Sequence, residues 1–180
     1  MLLEDFSAPS LVLPGVDGTS VDLHESINRN RPKAFLVMFI CNHCPYVKAI
    51  LTKLIKEGQK LSKADIPVFA ICSNDSNEYP EDSFENMKLI AKRHKFPFPY
   101  LHDETQKVAK DFGVVCTPDF FGFNSDKILK YRGRLDDSGK KYQIGGKSEL
   151  TEAMIEIAQT GTYEKPQIPS IGCSIKWKNS

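Results

Sequence analysis

The sequence predicts an α/β fold: a central mixed sheet flanked by helices, with a β-hairpin ahead of it and a C-terminal extension behind. Three observations carry this. Ala34 to Ile40 is a run of seven apolar residues without alternation, the pattern of a strand buried on both faces. Pro45 then opens a segment with Val47, Ile50, Leu51, Leu54, Ile55 and Leu61 at helical spacing, and Pro67 to Cys72 reads as the next strand. Together these form a βαβ unit with a parallel, right-handed crossover. Phe120 to Asn124 and Ile128 to Arg132, joined by Ser125-Asp126-Lys127, read as an antiparallel pair.

The remaining elements follow in chain order. Ser10 to Leu23 reads as a short hairpin, with Leu11 and Leu13 before a Pro14-Gly15 break, Asp17-Gly18 as the turn, and Val21 and Leu23 after it. Residues 33–40 are the buried strand and 45–62 the helix behind it. Ser73 to Pro80 is a polar loop, and 81–94 a helix with Phe84, Met87 and Ala91 on one side. Phe96-Pro97-Phe98-Pro99 is too rich in proline for regular structure; Tyr100-Leu101 is a brief strand. Asp103 is placed as an N-cap, with Gln106 completing a capping box, and Gly113 closes that helix after Phe112. Leu150, Met154 and Ile157 give a last helix over 148–160. Neither an internal repeat nor a linker divides the chain, so the expectation is one domain over 1–180, with 161–180 as its extension.

The totals exclude several function classes. A formal charge of +1 with both signs interspersed leaves no footprint for nucleic acid or an anionic membrane. The longest apolar run, 34–40, is far short of a membrane span. Met1-Leu2-Leu3-Glu4-Asp5 lacks the basic start of a signal peptide, so a cytoplasmic location is expected. Five scattered cysteines (41, 44, 72, 116, 173) do not make the dense pattern of a secreted disulfide scaffold.

Cys41-Asn42-His43-Cys44 lies where the buried strand hands over to the helix. Unpaired amides at a helix N-terminus favour an anion, so a thiol there ionises more readily, and Cys41 is expected to be the exposed, low-pKa member. Two cysteines with two residues between them can also close a disulfide reversibly. Zinc, the alternative use of such a pair, wants four ligands; no second pair exists, and His24, His94 and His102 are scattered. His43 between the thiols is a candidate for tuning their pKa, or a solvent-exposed spacer. Cys72 reads as core and Cys116 as packing near the pair. Cys173 reads as a tucked structural thiol, with a third redox thiol as the alternative. Arg132 and Arg134 read as a solvated hairpin face.

The cysteine pair after a buried strand, followed by Gly113-Val114-Val115-Cys116-Thr117-Pro118-Asp119-Phe120-Phe121 before a hairpin, resembles the thioredoxin-like superfamily. Within it the chain is similar to the alkyl hydroperoxide reductase/thiol-specific antioxidant branch, as a peroxiredoxin-like protein with a thioredoxin-type CxxC. Tyr131 to Asp137 and Gly172 to Trp177 share in that likeness. The resemblance implies a thioredoxin-like fold and a thiol–disulfide oxidoreductase without cofactor or metal. It makes Cys41 the attacking thiol, Cys44 the resolving one, Pro118 a cis-proline packed against them, and Thr117 the residue whose backbone pairs with a bound substrate chain. Its implied partners are a disulfide-bearing protein or small-molecule thiol substrate and an external dithiol reductant. The chain departs from peroxiredoxins in placing Cys41 and Val37 where they carry threonine and proline, and in having no arginine over 114–124. It departs from thioredoxins in placing Phe35 where they bury an acid. A peroxiredoxin-like thiol peroxidase is the alternative reading, and a metal-binding or metal-delivery protein of thioredoxin fold the second.

Overall fold

A computed structural model describes residues 6–137 and 148–179. Met1–Asp5, the stretch read for the absence of a leader, lies outside them. The first elements are the expected hairpin, β1 (Val12–Pro14) and β2 (Ser20–Asp22), antiparallel, with Gly18 in the left-handed region at its turn (φ 88°). The sequence reading ended this hairpin at Leu23, but a helix starts there: α1 (Leu23–Asn30). Asp22 caps it by accepting from the Glu25 amide, and Leu23 and Ile27, one turn apart, are its buried residues.

The central sheet is built from β3 (Ala34–Phe39), β4 (Val68–Cys72), β5 (Tyr100–His102), β7 (Asp119–Asn124) and β8 (Leu129–Gly133), in the order β5-β4-β3-β7-β8. β3, β4 and β5 run parallel; β7 is antiparallel to β3, and β8 to β7. Every residue of β3 is buried, which explains its unbroken apolar run. Its side chains alternate between two cores. Ala34, Leu36 and Met38 pack with Val47 and Leu54 of α2 (Pro45–Lys63) and with Leu150, Met154 and Ile157 of α5 (Glu149–Thr160). Phe35, Val37 and Phe39 pack on the other face with Leu23 and Ile27, and with Val108 and Phe112 of α4 (Lys107–Phe112). Each buried phenylalanine contributes about 2–3 kcal/mol by removal from water. α5 is capped at Ser148, whose hydroxyl accepts from the Thr151 amide at 3.1 Å. Among the described residues no helix is long and apolar enough to cross a membrane.

Two local expectations are corrected. The helix expected over 81–94 is α3 (Phe84–Arg93), capped by Ser83, and a 3-10 turn (Pro80–Asp82) stands ahead of it. The capping box at Asp103 and Gln106 does not form. Gln106 sits in the left-handed region (φ 65°) at the N-cap position of α4, and its side chain turns away to the C-terminal tail. The fully buried Asp103 carboxylate nonetheless accepts from the Val108 and Ala109 amides at 3.3 and 2.9 Å, and from the Ser73 hydroxyl at 2.7 Å.

Asp103→Ala strands two amides and a hydroxyl in the interior. It is expected to lower unfolding stability in urea by about 3 kcal/mol. Lys88→Ala, which removes an exposed ion pair with Glu85, should cost less than about 0.5 kcal/mol in the same assay.

Candidate functional site

Cys41 follows Ile40 at the carboxyl end of β3, and Cys44 is the N-cap residue of α2, whose first residue is Pro45. Proline suits that position because its missing N–H is one the helix leaves unpaired. Both thiols are free and buried, Cys41 4 % exposed and Cys44 fully covered. Cys41 is the more exposed of the two, as expected, but it reaches only the lining of a cleft. That cleft, about 430 Å³, lies between the N-terminal part of α2 and the length of α3, with Leu51, Leu89 and Ile90 among its apolar lining and Lys48 and Arg93 among its charged lining. A wider hollow of about 750 Å³ opens below the start of β3 around Arg31, Lys33 and Asp65; among the described residues lining it none is cysteine or histidine.

Thr117–Pro118 is cis, and Thr117 is brought against both thiols. Its hydroxyl lies 3.5 Å from the Cys41 sulfur, and its carbonyl lies 3.5 Å from the Cys44 sulfur. Thr117 belongs to a short strand, β6 (Cys116–Thr117), which pairs antiparallel with β9 (Cys173–Ser174). The tail therefore covers the backbone edge that the resemblance left for a substrate.

The two thiols ionise as one unit. The Cys44 thiol is pulled down to about 4, first by the hydrogen bond from the Cys41 thiol, then against burial by the Cys173 thiol and the Val47 and Cys173 amides. None of these amides is aligned as a helix cap. The Cys41 thiol is pushed up, chiefly because it holds the proton it donates to Cys44, and further by burial and the Asp82 charge. The Cys44 amide and the Thr117 hydroxyl also point at the Cys41 sulfur, the former at 3.3 Å, but Asp82 opposes a charge there. The sequence reading put the lowered pKa on Cys41; more groups favour charge on the Cys44 sulfur, and Asp82 disfavours it on Cys41.

Asp82 is the site residue that sequence reasoning missed. Strand 33–40 carries no acid, but the 3-10 turn Pro80–Asp82 delivers one from elsewhere. Its carboxylate is fully buried, accepts from the Asn42 amide at 2.7 Å and from the Asn74 side chain at 2.8 Å, and stands 2.5 Å from His43 Nδ1. The His43 contact is an ion-pair separation without hydrogen-bond alignment. His43 also stacks on Tyr79, with ring centroids 5.8 Å apart. It therefore faces Asp82 first, with its ring within 4.8 Å of the Cys41 sulfur. The local signal was a proline-led turn carrying two acids, Pro80-Glu81-Asp82, just before a helix.

The other candidates fall where packing puts them. Cys72 is fully buried and its thiol is raised to about 12 by burial; Cys116 is half-buried and raised to about 11 for the same reason. The two arginines are not a solvated face. Arg132 pairs with Asp119 at 3.1 Å over the Phe121 ring, and Arg134 grips Glu149 through two contacts of 2.8 and 3.0 Å.

The AhpC/TSA family pattern matches residues 5–132, most of the chain. The chain belongs to the AhpC/TSA family. An uncharacterized conserved protein from Geobacillus kaustophilus has a similar structure, at 43% identity and TM-score 0.88, over 97% of this chain and 92% of that one. A hypothetical protein from Sinorhizobium meliloti follows at 35% identity and TM-score 0.84, over 97% and 94%. A thioredoxin-family thiol:disulfide interchange protein from Chlorobium tepidum has 16% identity and TM-score 0.61, over 84% and 94%, and shows the shared thioredoxin-like fold. Among curated proteins none matches. Family and fold support a thiol redox role.

The reduced protein should carry one thiolate at pH 7, seen as 240 nm absorbance that disappears in Cys44→Ser and persists in a Cys72→Ala control. Because the Cys44 pKa falls from about 9 to about 4, its contribution to the stability of the reduced fold is full above pH 9 and is lost as pH falls toward 4. A urea-midpoint series over that range should rise with pH, and flatten in Cys44→Ser.

Proposed function

We propose that the protein is a thiol–disulfide oxidoreductase working through Cys41 and Cys44. The observation that carries this reading is a pair of free, buried thiols at the start of one helix, with Cys41 lining a cleft and Thr117 against both sulfurs. Cys44 accepts the Cys41 proton and leaves a Cys41 thiolate facing the cleft. That thiolate attacks one sulfur of a substrate disulfide; the S–S bond breaks, and the expelled thiolate takes up a proton. The mixed disulfide on Cys41 is then attacked by Cys44, which closes the Cys41–Cys44 disulfide and releases the second substrate thiol. The substrate gains two electrons and two protons, and an external dithiol restores the pair. The substrate is a disulfide-bearing protein or small molecule, no organic cofactor is needed, and a reducing cytosol would supply the dithiol.

A second reading, peroxide reduction, rests on family membership and on the low pKa of Cys44. A peroxidase needs donors aimed at the peroxide oxygens. Here Arg132 is committed to Asp119 and to the Gly113 carbonyl, and Cys41 stands where the family's threonine would be. A third reading, metal binding, rests on the Cys41, His43 and Asp82 donor atoms, all within 4.8 Å of one another. Both Asp82 oxygens already accept hydrogen bonds, so an ion there would share them with Asn42 and Asn74.

Stopped-flow oxidation of the reduced protein separates the first two readings. Small disulfides should react rapidly, and Cys44→Ser should lower multiple turnover about a hundredfold or more while trapping substrate on Cys41. Hydrogen peroxide should react little faster than with an ordinary low-pKa thiol. A peroxide rate orders of magnitude above that, lost in Cys44→Ser, would establish the peroxidase instead.

A further inference from the structure

Cys173 takes no part in the reaction above, yet two independent features place it in the site. The first is the backbone. In the β6–β9 ladder Thr117 is opposite Cys173, and Cys116 is opposite Ser174. The tail thus lies on the edge beside Pro118 as an extended substrate would, with a cysteine in register. The approach is close enough to require glycine: a Cβ on Gly172 would stand 1.9 Å from the Thr117 carbonyl oxygen and 3.0 Å from the Pro118 nitrogen.

The strand is also pinned beyond the site. Ile175 is buried, and its amide donates to the Val115 carbonyl at 3.0 Å. The Lys176 amide donates to Asn74 at 2.9 Å; its carbonyl accepts from Gln106 at 2.9 Å and from the Asp75 amide at 2.8 Å. The Lys178 amide donates back to Gln106 at 2.9 Å.

The second feature is the sulfur. The thiol and the amide of Cys173 both favour charge on the Cys44 sulfur, as the Cys41 thiol does. Cys173 is half-buried and packs on the same core cluster as the pair.

We propose that Cys173 is a third redox thiol, carried on a built-in substrate strand, that exchanges with the Cys41–Cys44 disulfide to form a Cys44–Cys173 disulfide. The step rests on the dithiol reading above. The Cys173 sulfur attacks the Cys44 sulfur; the Cys41–Cys44 bond breaks, the Cys44–Cys173 bond forms, and the proton of Cys173 passes to the Cys41 sulfur. No oxidation level changes, so no further oxidant is needed. Burial and the neighbouring Cys44 charge raise the Cys173 thiol, and Lys176 lowers it. The Cys44 contribution vanishes once Cys44 is in a disulfide, so Cys173 ionises more readily after the pair has been oxidised, against the burial that remains. The exchange returns a free Cys41 to the cleft with the oxidising equivalent stored behind it.

The test uses the full chain carrying Cys41→Ser, treated with one equivalent of diamide, quenched in acid, alkylated, and digested without reductant for mass spectrometry. The expected result is a Cys44–Cys173 linked peptide in most molecules. Adding Gly172→Val, which pushes the strand off Thr117, should cut that yield at least tenfold; the same substitution beside an intact Cys41 should leave the Cys41–Cys44 disulfide in place. Turnover of a small disulfide by the unmodified protein is read in parallel. A failed dithiol enzyme then shows as lost turnover with the cross-link intact. Recovery of Cys173 as the alkylated thiol, whatever the state of Cys44, overturns the assignment.

Discussion

Everything at this site depends on one buried sulfur being able to carry charge. Cys44 is fully covered, and an anion without water is costly unless donors replace the lost hydration. Four groups supply them: the Cys41 thiol, the Cys173 thiol, and the Val47 and Cys173 amides. They come from the end of β3, the first turn of α2 and the C-terminal tail. The helix start alone would supply only part of this, which is why the tail is a component of the site.

Around that sulfur the fold divides the labour by direction. The cleft side presents Cys41 and His43, and the Asp82 charge behind them opposes a thiolate on Cys41. The opposite side is closed by β6 and β9. An extended peptide therefore finds the Thr117 edge already taken, and the disulfide substrate we propose would approach through the apolar-walled cleft. Asp82 is anchored to the cysteine loop through the Asn42 amide, and Asn42 in turn accepts from Tyr100 at 2.8 Å. The chemistry of the loop is thus tied to β5, at the edge of the sheet.

What the sequence made legible is what short-range pattern encodes. The unbroken apolar run of β3, the spacing of Val47, Ile50 and Leu54 in α2, and that of Leu150, Met154 and Ile157 in α5 are all local, and all are found. α1 was lost because Leu23 and Ile27 are its only buried anchors, and Leu23 also fits the end of a hairpin. Gln106 fits a local capping rule, but two tail carbonyl and amide groups, about seventy residues away, compete for it and win. Asp82 and Cys173 were out of reach for the same reason. Their partners, Asn42 and Cys44, are forty or more residues distant, and no spacing rule connects them.

The central claim is that Cys41 and Cys44 form a reversible dithiol–disulfide couple. Equilibrating the protein in buffers of graded reduced and oxidised dithiothreitol, then counting alkylated thiols by intact mass, tests it most directly. The account predicts a single reversible transition in which two of the five thiols are lost together, with the slope of a two-electron couple, about 30 mV per decade. The loss should be absent in Cys44→Ser. Five free thiols across the whole range, or a loss that reductant does not reverse, would contradict it.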